Sequence, residues 1–225
     1  MTKTKRADAG AAPEPRIRAR NEEKILRAAV GLFADKSFHG THIKEIARVS
    51  GLPKTNVYYY FSTKESIYTA VIERLIEGWD RAFEHIVPQR EPREAITAYI
   101  HAKLEYSRRH ATESRFFANE ILRGAQFLER RQRQHIREVT DQRAHVVEEW
   151  IRRGQMAPVD PRHFFIMLWS ATQFYADFGM LAADVLGRRR LTRTDFDAAA
   201  ETMTKVILDG CCSPAVLPAI GPPRL

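Results

Sequence analysis

A chain of 225 residues, 44% apolar and 28% charged, has enough apolar substance for one sizeable core, or for a small domain joined to a larger one. Its net charge of +8 and pI of about 9.7 point to a polyanionic partner. The excess is localised: residues 1–64 hold thirteen Lys/Arg against six Asp/Glu, and residues 65–225 twenty-three against twenty-two. A solubilising tail would give the same imbalance, so the motifs must decide. Cys211 and Cys212 are adjacent and alone, which excludes a disulfide framework and a metal spacing and fits a reducing cytosol. The first twenty residues are basic but lack an apolar stretch, so no secretory signal is expected. Residues 164–183 carry a single charge, but Gln173 and Asp177 sit within the segment and no anchors flank it. It reads as a helix buried in protein, and the protein as cytoplasmic, without a membrane partner.

In chain order, residues 1–16 are rich in Lys, Arg, Ala and Pro and are expected to form a disordered basic arm. From Arg18 to about Lys36, Ile25, Leu26, Ala29, Leu32 and Phe33 recur at helical spacing with charges opposite. Gly40 then suits a turn, and Thr41 is placed to cap the next helix. Ile43, Ile46 and Ala47 give that helix a short apolar face, which "SGLP" interrupts. Pro53 suits the first position of a following helix, where a missing N–H is harmless. Another helix starts near Ser62-Thr63 and runs to about Ile86, with Ile67, Tyr68, Val71, Ile72, Leu75 and Trp79 as its stripe. Further helices are predicted at about 92–110, 113–122, 125–153 (closed by Gly154), 161–186 (opened by Asp160-Pro161) and 194–210. No strand pattern or repeat stands out, so the fold class is all-α. The Pro-rich tail 213–225 is expected to be flexible.

Residues 42–60 read as helix, tight turn, helix: Ala47 is small where two helices would cross, Gly51 allows the turn, and Val57 anchors the second helix. In a helix-turn-helix the N-terminal residues of the second helix face base edges in the major groove. Lys54, Thr55 and Asn56 hold those positions; lysine can donate to guanine, threonine can touch a thymine methyl, and asparagine can pair with adenine. The run Tyr58-Tyr59-Tyr60-Phe61 cannot face one core, since neighbours on a helix project about 100° apart. Some rings are expected to brace the domain while Tyr58 and Tyr59 send hydroxyls to phosphates, with Phe61 packed inward. Lys64, beside the N–H groups that start the next helix, is expected to make a second phosphate site, and Arg16, Arg18 and Arg20 to add backbone or minor-groove contacts. The plainer alternative is a helical hairpin with half-buried tyrosines; the localised charge favours the DNA reading.

The stretch "LFADKSFHGTHIKEIARVSGLPKTNVYYYFSTKESIY" resembles the DNA-binding domain of the TetR family of bacterial repressors, through Thr41, Ile43, Ala47, Gly51, Tyr59, Phe61 and Lys64-Glu65. The resemblance implies a three-helix DNA-binding domain at 17–62 and a larger helical ligand-binding and dimerisation domain at 63–212. It implies a homodimer on palindromic double-stranded operators, and adds Thr41 and His42 to the expected DNA contacts. The family often has a polar cap where this chain has Pro53, so one side-chain phosphate contact is expected to be missing.

The second half is familiar too. "EYSRRHATESRFFANEIL" and "EEWIRRGQMAPVDPRHFFIMLWSATQFYADF" resemble the RutR-type repressors of pyrimidine utilisation, which bind uracil or thymine. That implies a regulator of nitrogen and pyrimidine catabolism, and that the last two helices form the dimer interface. Read from the residues alone, Trp169, Gln173 and Asp177 are spaced i, i+4, i+8 on one side of an apolar helix. A buried amide and carboxylate must be paired, hydrated or functional. Gln173 can serve both edges of uracil, Asp177 or Glu120 can accept an N–H, and Trp79, Phe117, Trp169 or Tyr175 can cover a ring face. Alternatively, Gln173 and Asp177 merely satisfy buried backbone or arginine groups.

An enzyme is not expected. A carboxylate metalloprotein of helical-bundle type needs Glu-x-x-His pairs, and no glutamate here has a histidine three residues on. No nucleophile elbow, P-loop or dinucleotide fingerprint appears, and no cofactor or metal is expected. The remaining rival is a TetR-type regulator answering to a hydrophobic drug or an acyl metabolite.

Overall fold

The computed structural model describes residues 15–211. The expected tail 213–225, Cys212 and most of the expected basic arm therefore lie outside the described residues. Pro15 and Arg16, expected to end that arm, instead begin the first helix. In order the elements are α1 (Pro15–Gly40), α2 (Ile43–Ser50), α3 (Lys54–Tyr60), α4 (Lys64–Phe83), α5 (Pro92–Arg109), α6 (Ala111–Leu122), α7 (Arg130–Arg152), α8 (Pro161–Asp177), α9 (Gly179–Val185) and α10 (Arg193–Cys211). No strand occurs among the described residues, and no helix there is long and apolar enough to cross a membrane. Two compact units part inside α4, between Val71 and Ile72; the boundary expected at 62/63 falls just before the first residue of that helix.

In the N-terminal unit α1, α2 and α3 pack together around Ile25, Ala29, Phe33, Ile46 and Val57, and the first turns of α4 add Ile67, Tyr68 and Val71. The ring of Tyr68 lies edge-on to Phe33 and Phe38, with centroids at 4.7 and 5.3 Å. The α1 helix is interrupted at Ser37, whose φ of 57° takes the turn expected of Gly40. Thr41 does not cap α2. Its side chain is fully buried, and its hydroxyl donates to the carbonyls of Ser37 (2.8 Å) and Leu32 (3.1 Å). His42 takes the cap position instead, its backbone N–H donating to the Glu45 carboxylate at 3.3 Å. Gly51 ends α2 at φ 70°, a conformation open to glycine at little cost. Pro53 stands one position outside α3, in extended geometry, and offers no side-chain cap.

In the C-terminal unit α5 is the axis of the core. Its Ile96, Tyr99, Ile100 and Leu104 share one core with Phe164, Phe165 and Leu168 of α8, Ala200 and Leu208 of α10, and Val147 and Trp150 of α7, which packs on α8. Each buried Val, Leu, Ile or Phe side chain among them contributes about 1.5–3 kcal/mol. The start of α8 follows the sequence reading: Pro161 is its first residue, and the Asp160 carboxylate accepts from the N–H of His163 at 2.9 Å. Two expectations need correction. The helix predicted over 125–153 begins only at Arg130, since Gly124 and Ala125 both take positive φ and the Ala125 N–H turns back to the Glu120 carbonyl at 2.8 Å. The helix predicted over 161–186 is two helices, broken at Phe178 just before Gly179, a weak helix former.

Candidate nucleic-acid interface and effector cavity

The second helix of the helix-turn-helix, α3, turns one side chain inward. Val57 is fully buried, and this pins the helix so that Lys54, Thr55, Asn56, Tyr58 and Tyr59 all lie exposed. Tyr60 leaves that face: its phenol oxygen accepts from the Asn21 side chain at 3.0 Å, and the Arg18 guanidinium lies 5.9 Å from its ring centroid. Phe61 is half-buried at the helix end. The aromatic run thus divides: Tyr58 and Tyr59 stand exposed, Tyr60 is tied to α1, and Phe61 is half-buried. Beside α3, exposed His42 and Lys44 join Lys54 and Tyr58 around a surface hollow of about 400 Å³, with the Lys54 ammonium 5.6 Å from the Tyr58 ring.

Two residues expected at this surface do something else. The hydroxyl of Thr41 is spent on backbone carbonyls, as described above. Lys64 donates to the carbonyls of Phe38 (2.8 Å) and Thr41 (3.0 Å), and its ammonium sits 4.2 Å from the Phe38 ring. It stitches the end of α1 to the start of α4, so its charge is largely used within the fold. Arg16 and Arg18 are exposed on the first turns of α1, and Arg18 is paired with Glu22 at 2.8 Å.

In the C-terminal unit lies a cavity of about 140 Å³, walled by Ile76, Trp79, Asp80 and Phe83 of α4, Tyr99 and Lys103 of α5, Phe117 of α6, Ile136, Val139 and Thr140 of α7, and Trp169 and Gln173 of α8. Trp79 and Phe117 meet edge to face at 4.7 Å. Of the seven expected ligand residues, the fold brings Trp79, Phe117, Trp169 and Gln173 together here. Glu120, Tyr175 and Asp177 are not in its lining. Glu120 is buried, and its carboxylate holds the turn after α6 by accepting from the Phe127 N–H at 2.6 Å. Tyr175 faces Phe174 and Phe196. Asp177 accepts from the Ser114 hydroxyl at 2.5 Å. Eight residues along α8 carry a side chain well past a cavity the size of one ring, so Trp169 and Asp177 do not share it.

The sequence reading missed Lys103, Tyr99 and Asp80. Lys103 is only 2% exposed and its ammonium lies 4.9 Å from the Trp79 ring centroid. Burial pulls its pKa down to about 7, against the opposing attraction of Asp177. Burial also raises the Asp177 carboxyl above its ordinary range, offset by the Ser114 bond and the charges of Lys103 and Arg115. Tyr99 is fully buried; its phenol is pushed up by desolvation and stays neutral, accepting from the Trp169 indole N–H at 2.8 Å. Asp80 is taken by His135 at 2.6 Å. A signal for Lys103 did exist: it follows Ile96, Tyr99 and Ile100 at helical spacing, on the apolar stripe of α5, where a lysine is out of place.

Comparison with known proteins finds relatives for both parts of the chain. Residues 25–71 match the family of bacterial regulatory proteins, tetR family, and residues 72–214 match the YcdC-like protein, C-terminal region. The HTH-type transcriptional regulator RutR of Escherichia coli is 34% identical, over 84% of this chain and 89% of its own length. Among solved structures, the ketosteroid transcriptional regulator KstR2 of Mycobacterium tuberculosis superposes with a TM-score of 0.65 at 17% identity, covering 85% of this chain and 95% of its own. AibR, solved in complex with isovaleryl coenzyme A and operator DNA, gives 0.61 at 16% identity, covering 83% of this chain and 97% of its own. At such identities these two structures share the fold and nothing finer.

Proposed function

Because the chain belongs to the TetR family of bacterial regulatory proteins, we propose that it is a dimeric repressor released from its operator by a pyrimidine such as uracil or thymine. The family consists of DNA-binding transcriptional regulators, not enzymes. In this reading Lys54, Thr55 and Asn56 face base edges, while His42, Lys44, Tyr58 and Tyr59 meet phosphates.

The observation that carries the effector assignment is the cavity: about 140 Å³ between the rings of Trp79, Phe117 and Trp169, with the Gln173 amide and the Lys103 amine as its polar contributors. An apolar cavity of roughly 150 Å³ holds one benzene ring, so a single flat heterocycle fits. Gln173 supplies a donor and an acceptor to the ring edge, and Lys103 meets a carbonyl oxygen. A ligand of roughly eight heavy atoms is limited to about −12 kcal/mol, which leaves micromolar affinity within reach. A coenzyme A thioester is many times larger than this space, and a drug-sized hydrophobe also exceeds it.

The response follows from α4, which starts in the N-terminal unit and contributes Ile76, Trp79, Asp80 and Phe83 to the cavity wall. A ligand that prefers one setting of α4 by about 3 kcal/mol shifts operator occupancy some hundredfold. A second copy of the chain is the partner for the apolar residues left exposed on α8 to α10, among them Phe174, Phe178, Met180, Leu181, Val185 and Val206. In a dimer, two copies of α3 can meet successive major grooves about 35 Å apart. The decisive experiment is a gel-shift titration on operator fragments selected from the host genome, with uracil, thymine, a purine and a lipophilic amphiphile as effectors. Release by the pyrimidines alone supports the reading; operator binding indifferent to saturating uracil and thymine rejects it.

A further inference from the structure

We infer that Lys103 is the specificity residue of the cavity, and that it selects flat heterocycles by the acidity of a ring N–H, whose proton it takes. This inference rests on the pyrimidine reading and narrows it. The cavity has few polar atoms to offer, and most are engaged. Tyr99 accepts from Trp169, Asp80 is paired with His135, and the Thr140 hydroxyl donates to the Ile136 carbonyl at 2.7 Å. Among the described residues, Lys103 makes no hydrogen bond, although it is 98% buried and lines the cavity against Trp79. The charged and titratable groups around it are Asp177 of α8, Asp80 of α4 with its His135 partner on α7, and neutral Tyr99 on its own helix; none bonds to it.

A buried amine without a hydrogen-bond partner is costly whichever way it is protonated. A ligand with an acidic N–H between two carbonyls removes that cost. The ligand N–H bond breaks, its proton forms a bond to the Lys103 nitrogen, and the resulting ring anion is held by the ammonium it created. Desolvation has already brought the amine near neutrality, so it is able to accept the proton. The charges then attract in a site where water does not screen them, and Gln173 fixes the edge of the ring. Heterocycles of the same shape without an acidic N–H leave the amine as it was. The cavity therefore distinguishes imide-type rings such as uracil from amino-substituted rings such as cytosine, although both fit by size.

The test is calorimetry on the full chain with uracils of graded N–H acidity: thymine, uracil, fluorouracil and nitrouracil, with 1,3-dimethyluracil and cytosine as controls. Affinity is expected to rise along that order, with fluorouracil about tenfold tighter than uracil and the controls at least about a hundredfold weaker. In Lys103→Met the order is expected to flatten, while the wild-type series stands by itself if that variant folds poorly. If uracil binds but affinity ignores N–H acidity, the inference is overturned and the pyrimidine reading survives. If no member of the series binds, both fall.

Discussion

Trp169 donates its indole N–H to the phenol oxygen of Tyr99 at 2.8 Å, fixing the α8 wall of the cavity to the centre of the α5 core. Tyr99 is wholly buried, so nothing replaces its oxygen when it is removed. In Tyr99→Phe the indole N–H loses its partner, at a cost of about 1–3 kcal/mol. Denaturant melts should show that loss. Effector affinity should fall as well, because a ring wall freed of its bond no longer holds one rotamer.

Thr41 and Lys64 separate bracing from reading. Thr41→Val keeps the shape but leaves the carbonyls of Leu32 and Ser37 without their donor, and should destabilise by about 1–3 kcal/mol in circular-dichroism melts. Lys54→Ala and Asn56→Ala, on the exposed face of α3, should leave the melts within about 0.5 kcal/mol of wild type. Their effect is expected on DNA binding. Asn56→Ala should cost about 1–3 kcal/mol on the selected operator, and Lys54→Ala should cost a similar amount if it reads guanine, or reduce the salt slope by about 1 if it meets phosphate. An operator affinity untouched by both changes would remove α3 from the interface.

Lys103 should leave a mark on stability as a function of pH. In the unfolded chain its amine titrates near 10.5, and in the fold at about 7. Between those values the unfolded state holds more protons, so stability rises with pH across the window. Below about 7 the burial penalty is fully present, and above about 10.5 it is gone. Wild type should therefore gain on Lys103→Met as pH is raised from 7 towards 10 in urea titrations; parallel profiles would show that the amine is not buried in solution.

Gly78 lies under the ring of Tyr106, where a β-carbon would stand 2.5 Å from Cε2. The Tyr106 ring is stacked on His110 with centroids 4.5 Å apart, so it has little room to retreat. Alanine favours a helix by about 0.8–1.0 kcal/mol over glycine, but overpacking costs about 1–3 kcal/mol and should win. Gly78→Ala is expected to lower Tm by a few degrees in differential scanning calorimetry. A rise in Tm would mean that Tyr106 swings away freely.

Much of this arrangement was readable along the chain. The apolar spacing around Ile25, Ile46 and Ile67 marks the inner faces of three helices, and Gly51 and Pro161 mark where helices end or begin, because those signals act within a few residues. Where the fold departs from that reading, the reasons are physical. Thr41 looked like a cap because hydroxyls cap helices, but its buried hydroxyl bonds the carbonyls within reach, and those come from α1. Asp177 looked like a cavity residue because it repeats the spacing of Trp169 and Gln173, but the cavity is only as long as one ring. Glu120 looked like a ligand acceptor, yet its carboxylate is taken by the backbone of the turn it supports.

Family, helix content and the exposed polar face of α3 were determined by the sequence itself, since periodicity, turn residues and localised charge are properties of neighbours in the chain. Which side chains converge on the cavity was decided only by tertiary structure. Trp79, Lys103, Phe117, Thr140 and Gln173 come from five helices, and the chemistry of Lys103 arises from the packing that strips water from its amine, a quantity that no stretch of sequence contains.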